Sequence, residues 1–326
     1  MIEPIFLQGI CKDYLWGGNR LREEFGKVSD ADKIAESWEL ACHKDGSSIL
    51  RSGADAGLDL QEYVDKHGTA FLGTNCAGCD TVPVLIKLID AKQDLSIQVH
   101  PDDAYAMAAE GEPGKTEMWY IVDCMPGAAL YYGVNQNVSK EEFARRIENQ
   151  TLTEILNRVE VKPGELYFIP SGTLHAIGAG ILLAEIQQNS NTTYRVYDYG
   201  RRGADGKLRP LHVEKALDVT NLCPTAPTVQ YPEQNISGGT VRKLEACDYF
   251  ASDVVNVSET AAFFVGEETF HHLLVLTGEG VLKTASGTAK ISKGDSVLFP
   301  ACLGKYEVTG NCQFIVTRMD KPVRLK

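Results

Sequence analysis

The sequence predicts an all-β (mainly β) protein built from two related β-barrels, the first of which carries a helical insertion. Three observations lead to this prediction. Short apolar or alternating runs bounded by turn residues recur along the chain, segments with helical spacing are few, and one stretch of sequence returns later in the chain. Many short strands separated by turn residues are typical of barrels and sandwiches.

The predicted strands are short runs in which apolar residues are continuous or alternate with polar ones. Gly, Pro, Asn or Asp bounds most of these runs. They are Val84–Ile89, Leu95–Val99, Met118–Val122, Leu166–Ile169, Ile181–Ile186, Leu273–Leu276 and Val297–Phe299. Of the 326 residues, 44% are hydrophobic and 23% are charged, which is apolar enough to bury a large core.

Helical signals are confined to a few places. Ser139–Glu142 and Thr151–Glu154 both fit a capping box, in which a hydroxyl residue precedes a glutamate by three positions. Apolar residues at helical spacing follow each of them, so the sequence predicts two capped helices within residues 138–160. A further short helix is predicted over Asp59–Lys66.

The internal repeat joins GELYFIPSGTLH at residues 164–175 to GDSVLFPACLGK at residues 294–305. Glycine, an acidic residue and proline recur at the same positions. A looser match places His271 opposite Glu117. The glycine–acid–proline–histidine spacing resembles a conserved motif of the cupin superfamily, whose members are jelly-roll barrels that hold a metal in the barrel mouth.

This resemblance implies two cupin-like domains. Residues 224–240 are rich in Pro, Thr, Gly and Asn and form the predicted linker. We expect a catalytic domain over residues 1–232, with its helical insertion near 138–160, and a C-terminal domain over residues 240–326. The second domain has Lys305 where the first has His175, so we expect it to lack a complete metal site.

Charge and cysteine content limit the function classes. The formal net charge is −12 and the pI is about 5.1, which disfavours nucleic acids and anionic membranes as partners. No apolar run approaches the length of a membrane span, and the N-terminus lacks a basic segment before a long apolar one. Nine scattered cysteines indicate reduced thiols. We therefore expect a cytoplasmic protein, and nothing implies a protein partner.

The pair Cys76 and Cys79 forms a C-x-x-C motif. A structural zinc site would require a second pair of this kind, and the sequence has none. A redox or metal role for this pair stays open at this point.

The polar residues of two predicted strands share one face. In LSIQVHP (residues 95–101), alternation puts Ser96, Gln98 and His100 on one side of the strand. Lys115 and Glu117 share a face in the same way, just before an apolar run. A row of polar side chains inside a barrel is costly unless something binds them.

These residues, with His175 after the PSGT turn, supply two imidazoles, one carboxylate and one amide oxygen. Such a donor set suits zinc or a similar divalent ion. Taken singly, His100 also fits a surface turn beside Pro101, and Glu117 also fits an ordinary strand carboxylate. The combination of three strands favours the metal site.

Longer motifs make the resemblance more specific. LSIQVHPDD (95–103), GKTEMWY (114–120) and PSGTLHAIG (170–178), together with AESWE (35–39) and TYRVYDY (193–199), resemble type I mannose-6-phosphate isomerases, most of all the short bacterial form. The match runs from near the N-terminus to about residue 215. The family interconverts mannose 6-phosphate and fructose 6-phosphate with one zinc ion per chain. The resemblance implies Gln98, His100, Glu117 and His175 as the zinc ligands.

The resemblance also implies the remaining site residues. Ser96, Lys115 and Arg195 match substrate-binding positions, and Lys87, Lys115, Glu185 and Arg195 match catalytic ones. Glu185 is the less firmly aligned of these. Many relatives have a carboxylate four residues before the motif arginine, but this chain has Asn191 there, which removes one proposed base. The identity of the proton-transfer base therefore stays open.

Two other functions fit part of the pattern. His100, Glu117 and His175 would form the two-histidine, one-carboxylate set of an iron-dependent cupin dioxygenase. Gln98 and the cationic residues argue against this function. A cupin that binds a sugar phosphate without converting it is the other alternative. Oxygen consumption would identify the former, and binding without turnover the latter.

Overall fold

The computed structural model of the chain describes residues 2–203 and 206–323. The residues outside this description are Met1, residues 204–205 and residues 324–326. The first residue of the predicted catalytic domain and the last three of the predicted C-terminal domain are therefore among them. Within the described part, no helix combines the length and the apolar character that crossing a bilayer requires.

Strands dominate the first two thirds of the chain. In order they are β1 (Ile5–Gln8), β2 (Ile10–Lys12), β3 (Glu36–Leu40), β4 (Cys42–His43), β5 (Gly46–Ser47), β6 (Ile49–Leu50), β7 (Val84–Ala91), β8 (Ile97–Val99), β9 (Glu117–Cys124), β10 (Ala129–Val134), β11 (Leu156–Glu160), β12 (Leu166–Ile169), β13 (His175–Ala176), β14 (Ile181–Gln188) and β15 (Tyr194–Tyr197). The helices are α1 (Arg20–Phe25), α2 (Leu60–His67), α3 (Asp103–Glu110), α4 (Lys140–Glu148) and α5 (Val213–Val219). Short 3₁₀ turns lie at Ala70–Leu72, Thr74–Cys76 and Leu152–Ile155.

The last third of the chain contains strands alone as regular structure among its described residues. They are β16 (Gln234–Ile236), β17 (Gly239–Ala246), β18 (Ala251–Val257), β19 (Thr260–Val265), β20 (His271–Thr284), β21 (Gly287–Ser292), β22 (Ser296–Phe299) and β23 (Gly304–Arg318). The predicted linker thus contains regular strands from Gln234 onwards. Before that point Thr228 ties it to the first sheets, because its Oγ1 accepts from the Phe168 N–H at 3.0 Å.

The strands form three large antiparallel sheets. One has six strands in the order β12-β9-β14-β7-β3-β2, and another has five in the order β11-β10-β13-β8-β15. The third has ten strands along the path β16-β17-β18-β23-β20-β22-β1-β6, with β19 paired to β23 and β21 to β20. The N-terminal strand β1 therefore belongs to the same sheet as the C-terminal strands.

The prediction of a mainly β fold is confirmed. The sheets do not close into barrels, since the five- and six-stranded sheets face one another without sharing a strand. The two copies of the sequence repeat form matching strands. β12 covers residues 166–169 and β22 covers residues 296–299, so the first residues differ by 130 and so do the last. Gly164 and Gly294, which open the repeat, both have positive φ, at 89° and 91°, where glycine is favoured.

One of the two helices predicted within residues 138–160 is present. Ser139 caps α4 by accepting a hydrogen bond from the Glu142 N–H at 3.1 Å. The prediction of a second capped helix at Thr151 is wrong, because the Thr151 side chain makes no cap hydrogen bond and a single 3₁₀ turn leads into β11. The helix expected over Asp59–Lys66 is confirmed as α2, with a complete capping box at Asp59.

Alternation along the six-stranded sheet builds two different faces. On one face, Ile86, Met118 and Ala184 join a core that also contains Leu274 and Ile315 of the ten-stranded sheet. On the other, Ile89, Trp119 and Leu183 pack towards the five-stranded sheet. The outer face of the five-stranded sheet is covered by α4 and α5. The space between the five- and six-stranded sheets is where the polar residues of the candidate site meet.

Candidate active site

A pocket of about 290 Å³ opens between the five- and six-stranded sheets. The six-stranded sheet contributes Lys87 from β7 and Glu185 from β14, which are direct neighbours in the antiparallel register. The opposite sheet contributes Gln98 from β8 and Arg195 from β15, which are also register neighbours. The remaining wall is formed by Tyr14, Trp16, Glu36, Ile89, Leu95, Ser96, Lys115, Ile177, Asn191, Thr193 and Arg209.

Beside this pocket, His100, Glu117 and His175 form a group whose potential ligand atoms all lie within 4.8 Å of one another. The Nε2 atoms of His100 and His175 lie 3.6 Å and 3.5 Å from the two carboxylate oxygens of Glu117. All three side chains are buried.

The two imidazoles are oriented by backbone carbonyls. His100 Nδ1 is 2.9 Å from the Thr192 oxygen, and His175 Nδ1 is 2.9 Å from the Thr173 oxygen. If each Nδ1 carries the proton that these contacts require, each Nε2 keeps its lone pair and points at Glu117. These Nε2 atoms and Glu117 Oε1 have no hydrogen-bond partner among the described residues. Buried polar atoms that converge without partners fit a divalent metal ion.

The protonation equilibria fit such a site as well. Burial, and next to it the Glu185 carboxylate, raises the pKa of Glu117 to about 7. Burial lowers the pKa of His175 to about 4, and burial followed by the Lys115 charge holds the pKa of His100 well below its ordinary value. Neutral imidazoles are the form that binds metals.

The fourth predicted ligand, Gln98, is the register neighbour of His175 in the five-stranded sheet. Cross-strand neighbours have Cβ atoms about 5 Å apart. Gln98 also lines the pocket, so it belongs both to the strand position beside His175 and to the pocket wall.

Next to the metal group, lysines and carboxylates alternate in a buried row. Lys115 Nζ lies 2.9 Å from Glu117 Oε2 and 3.7 Å from Glu185 Oε1. Lys87 Nζ lies 3.1 Å from the same Glu185 oxygen and 3.7 Å from Glu36 Oε2. The row therefore runs Glu36, Lys87, Glu185, Lys115, Glu117, from the pocket wall to the metal group.

Two indole N–H groups fix the carboxylates of this row. Trp119 Nε1 donates to Glu185 Oε2 at 3.0 Å, and Trp38 Nε1 donates to Glu36 Oε2 at 2.7 Å. Burial alone would raise the pKa of Glu185, but the Lys115 and Lys87 charges outweigh it and lower this pKa to about 2. Burial likewise acts to lower the pKa of Lys87, but Glu185 and Glu36 hold it above its ordinary value. Both partners stay charged at neutral pH.

Two arginines also line the pocket. Arg195 Nη1 donates to the Pro210 carbonyl at 3.1 Å, while its buried Nε has no partner among the described residues. Arg209 is held by Asp198, whose oxygens accept from Nε at 2.6 Å and from Nη2 at 2.5 Å. Burial and the neighbouring Arg209 lower the pKa of Arg195. Two guanidinium groups facing one pocket form a site for an anion.

Known proteins match this chain along almost its whole length. The family model described as "Phosphomannose isomerase type I, catalytic domain" matches residues 5–118, and "Mannose-6-phosphate isomerase, cupin domain" matches residues 240–319. Mannose-6-phosphate isomerase ManA of Bacillus subtilis is 40% identical over 320 residues, which are 97% of this chain and 99% of the relative. The chain belongs to the type I phosphomannose isomerase family.

A solved structure agrees with this membership, and a second one shares the fold. The crystal structure of the mannose 6-phosphate isomerase from Bacillus subtilis superposes with a TM-score of 0.90 at 36% identity, covering 96% of this chain and 99% of that one. A mannose 6-phosphate isomerase bound with zinc and yttrium has the same fold, with a TM-score of 0.77 at 18% identity, covering 98% and 99% of the two chains. The predicted family and the predicted enzyme class, an isomerase, are confirmed.

The structure of this phosphomannose isomerase family member brings the predicted site residues together. Ser96, Gln98, Lys87, Lys115, Glu185 and Arg195 line one pocket, and His100, Glu117 and His175 form the adjoining metal-binding group. The individual roles assigned to these residues stay predictions. Among the described residues, this is the only group of three or more histidine, cysteine or acidic side chains arranged to hold a metal.

Sequence reasoning missed Glu36 and Arg209. Glu36 lies within the AESWE motif, and that motif was the sequence signal that could have identified it; in the structure Glu36 accepts a hydrogen bond from Trp38. Arg209 reaches the pocket from an irregular segment after β15, where no periodicity gives a signal. Asn191, which stands where many relatives have a carboxylate, lines the pocket and donates to Asp45 Oδ2 at 2.8 Å.

Proposed function

We propose that this chain is a zinc-dependent aldose–ketose isomerase that interconverts mannose 6-phosphate and fructose 6-phosphate through an enediol(ate). The observation that carries the proposal is the convergence, on one pocket, of a His–Glu–His group, a row of buried lysines and carboxylates, and two arginines. Similarity to relatives such as the mannose-6-phosphate isomerase ManA of Bacillus subtilis supports it.

One zinc ion per chain would be held by His100, Glu117 and His175, with Gln98 as the fourth ligand. Two nitrogens and two oxygens are a donor set that zinc accepts. The zinc-bound structural neighbour supports this choice of metal. When bound, the ion would act as a Lewis acid towards the hydroxyl and carbonyl oxygens at C1 and C2 of the sugar.

The phosphate of the substrate would lie at the arginine side of the pocket. Arg195 offers its Nε, which has no partner within the described part of the chain, and Arg209 adds a second guanidinium that Asp198 keeps in place. Ser96 lines the same pocket and offers a hydroxyl donor. Guanidinium groups suit phosphate because they donate several hydrogen bonds from one plane. A local positive site of this kind allows an acidic chain to bind an anion.

The reaction moves a proton between C1 and C2, so the pocket must supply groups that take up and return protons. Lys87, Lys115 and Glu185 are the ionisable groups between the sugar site and the metal group, with Glu36 beyond Lys87. The two ammonium groups also stabilise negative charge that develops on the sugar oxygens. Glu185 pairs with both lysines and is itself held by the Trp119 indole N–H, which keeps the pocket preorganised.

A coupled assay of mannose 6-phosphate conversion to fructose 6-phosphate, before and after chelation, tests this function. We expect turnover to vanish with a chelator and to return with zinc, and elemental analysis to find one zinc per active chain. Absence of turnover in a folded, zinc-loaded protein that still binds the sugar phosphate would contradict the isomerase and favour a binding protein. Metal-dependent oxygen consumption would instead favour a dioxygenase.

A further inference from the structure

Cys76 and Cys79 lie at the two ends of a tight turn between α2 and β7. The Cys79 N–H donates to the Cys76 carbonyl oxygen at 3.0 Å. Between them, Ala77 has φ −59° and ψ 124°, and Gly78 has φ 88°. These are the angles of the two central residues of a type II turn, whose second position favours glycine. The cysteines therefore occupy the first and fourth positions of the turn.

This placement suits a disulfide. The Cα atoms at the ends of such a turn are less than about 7 Å apart, and disulfides join Cα atoms about 4.4–6.8 Å apart. The turn is fixed at both ends, since Thr69 Oγ1 donates to the Cys79 carbonyl at 2.8 Å and the Cys76 N–H donates to the Gly73 carbonyl at 3.0 Å. A bond between the sulfurs would join positions that the backbone already holds together.

The two thiols differ in environment. Cys76 is only 1% exposed, whereas Cys79 is partly exposed and follows the exposed residues Ala77 and Gly78. The Cys79 thiol, and after it burial, raises the pKa of Cys76, while the Cys76 thiol lowers the pKa of Cys79. Because the thiolate is the nucleophile, Cys79 is the residue that a reagent from solution meets first.

We propose that Cys76 and Cys79 form a reversible dithiol–disulfide site, whose oxidant is a low-molecular-weight disulfide such as oxidised glutathione. The Cys79 thiolate attacks one sulfur of the oxidant, forming a mixed disulfide and expelling one glutathione thiolate. Cys76, as its thiolate, then attacks the Cys79 sulfur and expels the second. Two protein thiols are oxidised by two electrons, their two protons are released, and one oxidised glutathione becomes two reduced glutathiones after protonation. Excess reduced glutathione reverses both steps.

This site is independent of the isomerase pocket. None of the pocket-lining residues falls within residues 69–82. The residues just before the turn are instead hydrogen bonded to the loop between β19 and β20. The Thr74 N–H donates to the Glu267 carbonyl at 2.9 Å, and the Asn75 N–H donates to the Glu268 carbonyl at 2.8 Å. We therefore expect isomerase activity to be the same in both redox states.

The test equilibrates the full-length, metal-loaded protein in glutathione buffers of graded redox ratio, quenches it in acid, and maps each cysteine by alkylation and peptide mass spectrometry. We expect one reversible transition that joins Cys76 to Cys79. Cys76→Ser should trap a glutathione adduct on Cys79, and Cys79→Ser should yield no intramolecular disulfide. The control Cys223→Ser, which removes an exposed cysteine elsewhere, should keep the wild-type transition.

The glutathione titration of the unchanged chain tests the proposal even if a variant fails to fold. Cys76 and Cys79 that stay reduced while the exposed Cys223 or Cys302 carries glutathione would overturn the proposal. So would a disulfide that joins either cysteine to a third one. Because isomerase activity is measured on the same samples, failure of this site and failure of the proposed isomerase function are told apart.

Discussion

At the scale of single residues, the site is governed by the cost of burying charge. Glu117 is fully buried, and its Oε1 atom has no hydrogen-bond partner among the described residues. A buried carboxylate without full pairing costs free energy, which appears here as a pKa of about 7. A divalent cation between Glu117, His100 and His175 would remove this cost, so metal binding and the stability of the site are coupled.

The first prediction concerns Glu117→Gln, which replaces the carboxylate by a neutral amide of the same shape. We expect the affinity for zinc, measured by competition with a chromogenic chelator, to fall more than about 100-fold, since even residues behind the ligands contribute about 10–100-fold. Glu160→Gln on the exposed edge of β11 is the matched control and should bind zinc normally. Unchanged affinity in Glu117→Gln would remove Glu117 from the ligand set.

The second prediction concerns Glu185→Gln, which takes away the carboxylate shared by Lys87 and Lys115. Two buried ammonium groups would then face one another with less compensation. Breaking a buried ion pair from one side costs about 3–5 kcal/mol, and we expect a loss of this order in the free energy of unfolding by denaturant. Glu154→Gln, whose partner Arg146 pairs with it at the surface, should lose less than about 1 kcal/mol. Equal losses of stability in Glu185→Gln and Glu154→Gln would show that the two lysines do not depend on the Glu185 carboxylate.

At the scale of elements, irregular segments position what the strands present. The loop between β14 and β15 supplies the Thr192 carbonyl that orients His100. The same residue is anchored from the other side, because Thr192 Oγ1 donates to Glu112 Oε2 at 3.2 Å and Glu112 is paired with Lys44. The orientation of one candidate ligand thus depends on residues that do not touch the metal group.

The third prediction separates this anchoring from simple packing. Thr192→Val keeps the shape of the side chain but removes the hydroxyl that donates to Glu112. We expect about a 10-fold loss of zinc affinity, as is usual for residues that orient a ligand. Thr192→Ser keeps the hydroxyl and should retain most of the affinity. If the two variants bind zinc equally, the hydrogen bond to Glu112 does not orient His100.

The fourth prediction concerns the helical insertion. Ser139→Ala removes a cap hydrogen bond from α4 and should lower the free energy of unfolding by about 1 kcal/mol. Thr151→Ala removes a similar side chain that makes no cap hydrogen bond. We expect it to lower the free energy of unfolding by less than about 0.5 kcal/mol. Isomerase turnover should be unchanged in both, since neither residue lines the pocket. The reverse order of destabilisation would mean that α4 does not depend on its cap.

These elements also show what the sequence could predict. Period-two alternation places Gln98 and Ser96 correctly on the pocket side, because a half-buried strand leaves a strong pattern. The motif at Thr151 fails because Gln150 before it has positive φ, at 57°, and Leu156 after it pairs with Val134 of β10. Tertiary pairing overrides a local signal there. Arg209 approaches through an irregular segment, so only the folded structure reveals it.

At the scale of the whole molecule, the two halves share one interior. Side chains of β7, β9 and β14 pack in the same core as side chains of β18, β20 and β23. Polar contacts cross the boundary too, as Lys27 Nζ is 2.6 Å from both Glu39 Oε2 and the Gly294 carbonyl. Ser296 Oγ donates to the Glu39 carbonyl at 2.8 Å and lies 2.8 Å from His272 Nε2. We expect the halves to unfold together.

The last prediction uses His272 to test how this boundary responds to acid. Burial, followed by the Lys27 charge, lowers the pKa of His272 to about 3, whereas a histidine in the unfolded chain has a pKa of about 6.5. A lowered pKa means that the neutral ring is the form the fold accepts. The stability that the neutral His272 ring contributes is therefore complete above pH 6.5 and is lost as the pH falls from there towards 3. Between pH 7.5 and pH 5 we expect this histidine to remove about 2 kcal/mol from the free energy of unfolding.

Two non-titrating replacements, His272→Gln and His272→Phe, isolate this effect when denaturant unfolding of the metal-loaded protein is followed across pH. They differ in absolute stability, because glutamine can still hydrogen bond to Ser296 and phenylalanine cannot. Both should nevertheless lose about 2 kcal/mol less than the unchanged chain between pH 7.5 and pH 5. Curves parallel to that of the unchanged chain would mean that His272 takes up its proton in the folded state as readily as in the unfolded one, and the boundary would then be open to water.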